Sequence, residues 1–223
     1  MIFTAYGFSF SVRAMRETGN VQTKPYHHGD LSRALVEAAL RLIERDGPSA
    51  LSLRAVAREA GVSPAAPYHH FADKSELLAA VAHQGWVALG EAMKEGLARA
   101  VTPAQKRTAM GVAYVKFSRE HPSLYRVMGD CSRDQEAMTA MHDDGEDSAY
   151  SSVRETIAAE GGPNVTQQDV ELATIAAWAA AHGLSEIAGF RQFDRLKAEL
   201  GGEAAFVQAV LEHLGMFSRT HGG

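Results

Sequence analysis

The run LRAVAREAGVSPAAPYHHFADKSELL, from Leu53 to Leu78, divides into two short helices folded across a turn, followed by the start of a third. Ala57 is small where two helices must approach. Gly61 stands just past the first helix, where the chain needs a left-handed backbone that Gly adopts without strain. Ser63 is a good N-cap type, and Pro64 follows it at the first helical position. Val56, Ala60, Val62, Tyr68 and Phe71 are spaced to seal the pair onto another helix. This is the anatomy of a helix-turn-helix, whose second helix enters the major groove of DNA.

Working outward, the pattern stays helical, with no convincing alternating strand. Upstream, Leu31, Leu35, Ala38, Ala39, Leu42 and Ile43 share one face of a helix capped by Asp30 and stopped by Gly47-Pro48. Ser52 caps the first helix of the pair. Asp73 caps the helix after it, with Glu76 as a capping-box partner, and that helix runs to about Arg99. Beyond a break at Val101-Thr102-Pro103, helices are expected over about Gln105–Glu120, Ser123–Met128 and Asp134–Glu160. The loop Gly161-Gly162-Pro163-Asn164 precedes a long apolar helix, roughly Thr166–Phe190, and a last helix over about Glu203–Phe217. The fold class is therefore all-α: a three-helix DNA-binding head over 25–80 and a larger helical body over 81–223, for which the resemblance given below implies ligand binding and dimerisation. Residues 1–24 are expected to be disordered or a loosely docked extension. Met1–Val12 is too short to span a bilayer and lacks the basic lead of a signal peptide, and Met15 is an alternative start.

The head resembles the DNA-binding domain of the tetracycline-repressor-like (TetR) family. The resemblance runs from Tyr26-His27-His28-Gly29-Asp30-Leu31 to about Ala82. It is most specific at Ala60-Gly61-Val62-Ser63, Tyr68-His69-His70-Phe71 and Asp73-Lys74-Ser75-Glu76-Leu77-Leu78. Where many members carry Lys-Gly-Thr-Leu before the Tyr, this chain has Pro64-Ala65-Ala66-Pro67, which leaves few long polar side chains on the recognition segment. Further on, Trp178-x-x-x-His182-Gly183 resembles a signature in the C-terminal domain of one TetR subgroup.

Composition is compatible with this reading. An apolar fraction of 46% is ample for a packed core, and the net charge is −5. The acidic excess falls mainly in the second half, in runs such as His142-Asp143-Asp144-Gly145-Glu146-Asp147. A near-neutral head can still bind DNA through local groups and helix N-termini. The single cysteine, Cys131, excludes an intramolecular disulfide and points to a reducing, cytoplasmic setting.

Enzyme chemistry finds no foothold. There is no Gly-rich phosphate loop and no nucleophile elbow. No Cys or His pair has zinc-like spacing, and the acidic run fans around a helix instead of converging, so no metal or cofactor is expected.

In the body, Trp178 and His182 lie one turn apart, and Gly183 would allow another helix close. Two readings stand open: the pair lines an effector cavity, or it is core packing. Trp86, Met93, Met110, Tyr114, Phe117, Tyr125, Met128 and Met138 are further candidate walls.

The resemblance implies a transcriptional regulator, a repressor released from its operator by a small molecule. DNA contacts are expected from Ser52, Arg54, Ser63, Ala65, Ala66, Tyr68, His69 and Lys74. An effector, hydrophobic or aromatic, is expected against Trp86, Tyr114, Phe117, Tyr125, Trp178 and His182, with no buried charge to hold a charged ligand. A homodimer reading a palindromic operator is expected to form through the last two long helices. There Ala173, Ala176, Ala177, Ala180 and Ala181 permit close approach, and Phe206, Val210, Leu211 and Leu214 supply bulk. The alternative is a helical ligand carrier or enzyme that reuses the scaffold without specific DNA binding.

Overall fold

The computed structural model describes residues 28–131, 149–161 and 164–217. The extension, the acidic run at 142–147 and Met138 lie outside them. Among the described residues every regular element is helical: α1 (His28–Asp46), α2 (Leu53–Glu59), α3 (Lys74–Leu97), α4 (Pro103–Glu120), α5 (Pro122–Cys131), α6 (Ala149–Glu160), α7 (Gln167–Ile187), α8 (Asp194–Leu200) and α9 (Glu203–Phe217). Short 3₁₀ turns occupy Pro48–Ala50, Ala66–His69 and Arg191–Phe193.

Local chemistry sets most helix ends. Ser52 Oγ accepts the amide N–H of Ala55 at 3.1 Å, capping α2. At the other end Gly61 takes φ +71, and the Val62 N–H donates back to the Ala57 carbonyl at 2.9 Å, closing a Schellman turn. Asp73 Oδ1 accepts from Ser75 and Glu76, while the Glu76 carboxylate accepts from Ala72, one residue before the reciprocal partner of a capping box. Thr102 and Gln105 form a full capping box on α4, and Thr166 and Asp169 form one on α7. The first helix begins earlier than the sequence suggests, at His28, so Asp30 sits in its first turn and not ahead of it.

The expected face of α1 is buried, from Leu31 through Leu35, Ala38, Ala39, Leu42 and Ile43. It packs on α2 and on α3. At 24 residues, α3 is about 36 Å long and runs from the head into the body, where it lies against α4, α5 and α6. The α3–α5 approach is close: a Cβ on Gly85 would stand 2.7 Å from Met128 Sδ. The body centres on α4, which touches α3, α5, α6, α7 and α9. A second small core joins Val115, Leu184, Ala188, Phe206 and Val207, with the Phe193 ring stacked on Phe206 at 5.7 Å.

The short helix α8 has no counterpart in the sequence reading. Its segment, Asp194–Leu200, offers little apolar periodicity, and Leu196 and Leu200 stay exposed. Tertiary contacts hold it: Lys197 is buried, and its ammonium donates to the Phe190 carbonyl (3.3 Å) and to Asp194 (3.1 Å).

Candidate nucleic-acid interface and body cavity

The recognition segment is not an α-helix. Pro64 and Pro67 have no N–H to donate, so an i→i−4 ladder cannot run through them. The amides present close shorter loops instead: Ala66 N–H to Ser63 carbonyl (3.0 Å), Tyr68 to Ala65 (3.2 Å) and His70 to Pro67 (3.0 Å). The N-terminal residue of this 3₁₀ turn has no side-chain cap, so Ser63 does not serve as the expected N-cap.

The side chains sort in a way the spacing did not show. Pro67 and Phe71 are buried, whereas Tyr68, placed by its spacing among the sealing residues, is 54% exposed. Of the eight candidate DNA contacts, Ser52, Arg54, Ser63, Ala65, Tyr68, His69 and Lys74 are exposed and Ala66 is half-buried. Ser52 is also occupied as a cap. Lys74 Nζ donates to the Pro48 carbonyl at 3.3 Å, which holds the start of α3 against the turn after α1. Arg41 and Arg45 are tied to Glu59 in ion pairs between α1 and α2.

In the body, five of the six candidate effector residues converge. Trp86 stacks on Trp178 with ring centroids 5.9 Å apart. Tyr114 is fully buried, and its ring meets Trp178 (5.4 Å), His182 (5.1 Å) and Tyr125 (6.0 Å). Tyr114 and Tyr125 share a hydroxyl–hydroxyl hydrogen bond of 3.2 Å. His182 Nδ1 lies 3.1 Å from the Trp178 carbonyl; because a carbonyl only accepts, this nitrogen carries the proton. The Tyr114 hydroxyl stands 3.0 Å from both ring nitrogens, and with Nδ1 protonated it is Nε2 that can accept from it.

Burial governs the ionisation of this group. It lowers the His182 pKa and pushes that of the Tyr114 phenol well above its ordinary value. The Trp86 indole N–H is buried and has no acceptor among the described residues. Phe117 does not join the cluster; it lays its ring on His121 at 4.9 Å.

Sequence reasoning missed Tyr150, whose ring packs on Trp178 at 5.7 Å. Its hydroxyl donates to Glu171 at 2.5 Å, and burial together with that bond pushes its pKa up to about 12. Its place at the edge of the acidic segment left no apolar pattern to flag it.

A cavity of about 1430 Å³ lies against this cluster. Tyr114 and Trp178 border it, with Met93, Met110, Val153, Ile157 and Leu211. Trp86, Tyr125 and His182 contact the Tyr114–Trp178 pair without lining this cavity. Contrary to the expectation of uncharged walls, Arg107 and Glu160 also border it, paired with each other. Nor does Gly183 admit a neighbouring helix: nothing lies within 4 Å of where its Cβ would be.

Two family models match the chain. Residues 35–81 match that of the bacterial regulatory proteins of the tetR family. Residues 108–214 match the tetracyclin repressor-like C-terminal domain. The chain belongs to the TetR family. That family is one of regulators, not of enzymes.

Among TetR-family relatives, the HTH-type transcriptional regulator BetI of Rhizobium meliloti (strain 1021) is 37% identical over 78 residues. These are 35% of this chain and 38% of that protein, so the match spans well under half of the curated relative. A protein of unknown function from Rhodococcus sp. RHA1 superposes with a TM-score of 0.67 at 29% identity, covering 86% of this chain and 96% of the other. A TetR-like transcriptional regulator from the same organism has a TM-score of 0.57 at 17% identity, covering 87% of this chain and 100% of its own, and shares the fold.

Proposed function

We propose that this chain is a transcriptional repressor that binds a palindromic operator as a homodimer in the cytoplasm and releases it when a small, largely apolar molecule occupies the body cavity. The observation that carries this reading is the Pro64–His69 turn. It is held in place by buried Pro67 and Phe71 and presents Tyr68 and His69 to solvent, and Arg54 of α2 and Lys74 of α3 are exposed as well. The two side chains would meet base edges, and Arg54 and Lys74 would meet phosphates.

The head, 25–80, and the body, 81–223, are read as two functional units joined through α3. A second link supports communication between them. Glu44 of α1 accepts the Leu124 N–H of α5 at 3.4 Å, and the next residue, Tyr125, is bonded to Tyr114 at the cavity wall. Displacing Tyr125 would therefore pull on the head.

The dimer is supported by a stripe on α7 that its own fold leaves uncovered. Leu172, Ile175, Ala176, Ala179 and Ile187 are exposed at helical spacing, with Leu214 of α9 exposed as well. Phe206, an expected interface residue, is instead buried in the protomer's own core.

The test is fluorescence anisotropy of the full chain on duplex DNA from upstream of its own reading frame. Tight, salt-dependent binding with preference over scrambled duplex is expected. Equal affinity for both duplexes would overturn the reading. Sedimentation at micromolar concentration should show a dimer, and a monomer would remove palindromic binding with it.

A further inference from the structure

The helices α7 and α9 both pack on α4, and the cavity reaches the slot between them. From α7 it takes Ala173, Ala176 and Ala180, and from α9 Gln208, Leu211 and Glu212. Its deep end is closed by Met93, Met110 and Tyr114, all buried. Its rim is open: Ala173, Ala176, Gln208, Glu212 and Leu214 border it and are exposed.

That shape is unfinished as a small-molecule site. Ligand sites enclose about 300–1,000 Å³ and bury roughly 70–90% of the ligand's surface. This cavity holds about 1430 Å³ and opens to water along two helices. An apolar molecule seated there would keep part of its surface in water, and that part adds nothing to affinity.

The rim runs into the uncovered stripe of α7. Leu172, Ile175, Ala176 and Ala179 are all exposed, and Ala176 belongs to stripe and rim alike. On α9, Leu214 is an exposed apolar residue of the same rim. A body that covers the stripe therefore reaches the slot. A second copy fits that place. Between Glu171 and Glu186, α7 has no Asp, Glu, Lys or Arg, so laying this face on its own copy brings no like charges together. An isologous pair presents the same patch from both sides, so one two-fold contact covers both stripes and both slots.

We infer that a second copy of this chain forms the outer wall of the cavity, so that an apolar effector is held tightly only in the dimer. This rests on the readings of the cavity as the effector site and of the chain as a homodimer, and adds that dimerisation completes the site.

The probe is N-phenyl-1-naphthylamine, uncharged at neutral pH and fluorescent in apolar surroundings, titrated into the full chain. The chain has two tryptophans, Trp178 on the cavity wall and Trp86 stacked on it, so energy transfer from them locates the probe. Leu172→Glu and Ile175→Glu, made separately, each put a carboxylate on the stripe at a position that does not border the cavity. Both side chains are more than half exposed in the protomer, so its own core is spared. Circular dichroism checks that each variant is folded, and dilution of the wild type through its dimer dissociation constant gives the monomer without any substitution.

Sedimentation should show a wild-type dimer and monomeric variants. The dimer should bind the probe about tenfold tighter than either monomer, which corresponds to roughly 55 Å² more apolar surface kept from water. By reciprocity, saturating probe should tighten the dimer about tenfold for each protomer's site, or about a hundredfold for the pair. Equal probe affinity in dimer and monomer, variants that remain dimers, or a dimer without energy transfer to the probe would each overturn the inference. A monomeric wild type would leave the stripe to a different partner and overturn the dimer reading with it. Equal affinity beside an intact dimer defeats the shared wall alone, and operator anisotropy on the same wild-type sample reports separately on DNA binding.

Discussion

Tyr68 and Tyr114 are the same residue type in opposite situations. Tyr68 stands on a 3₁₀ turn of four residues and is more than half exposed. Tyr114 is fully buried at the middle of the body, where its ring meets Tyr125, Trp178 and His182 and its hydroxyl lies within hydrogen-bond reach of the histidine. The turn is rigid because its backbone is: two prolines and a short hydrogen-bond pattern fix it, and its outer side chains are spared for a partner. The cluster is rigid because its side chains hold one another, and four helices must arrive before any of it exists. A surface built the first way can lose a side chain without harm to the fold, and an interior built the second way cannot.

The largest effect that would test this contrast is on stability. Tyr114→Ala should cost about 3–5 kcal/mol in urea denaturation, the range for removing a large buried aromatic. Tyr114→Phe keeps the ring and should cost about 1–2 kcal/mol through the polar groups it leaves unpaired. Tyr68→Ala should change stability by less than about 0.5 kcal/mol, as an exposed residue does. A Tyr68→Ala loss as large as that of Tyr114→Ala would erase the distinction.

Next in size is DNA affinity. Tyr68→Ala should weaken operator binding about tenfold, or about 1.4 kcal/mol, with little change on scrambled duplex. Lys74→Ala should weaken binding to both duplexes alike and reduce the salt slope by about one. An unchanged slope would leave Lys74 only its contact with the Pro48 carbonyl. The body variants Tyr114→Phe and His182→Gln should leave operator affinity in the absence of ligand unchanged.

The smallest expected effect is on pH dependence. Burial lowers the His182 pKa below its ordinary 6.5, so on acidification the unfolded chain takes up the proton first. This contribution to stability is complete above the unfolded value and is lost as pH falls toward the lower folded value. Thermal unfolding followed downward from pH 7 should show that decline, and His182→Gln should flatten it. Tyr68→Ala should leave the decline intact, since Tyr68 lies in the other region.

The same contrast explains what could be read in advance. Caps at Ser52 and Asp73 and the left-handed turn at Gly61 depend on residues within a few positions, so sequence spacing exposes them. The convergence of Tyr114, Tyr125, Trp178 and His182 was partly visible, because the last two lie one turn apart on one helix. Tyr150 and Phe117 were misjudged for the converse reason. Whether a ring joins a cluster depends on which way its helix is rotated against its neighbours, and aromatic type alone carries no such information.

By itself, the sequence determined an all-helical chain, a helix-turn-helix bounded by Ser52, Gly61 and Asp73, and membership of the TetR family, since these rest on hydrogen bonds and backbone preferences local to a few residues. Tertiary structure alone decided the rest. It turned Tyr68 outward by burying Pro67 in its place, and it ordered α8 around Lys197. It also brought Arg107 and Glu160 together on one cavity wall from distant positions in the chain. An ion pair between two helices is a property of where they meet, and no periodicity within a single helix encodes that meeting.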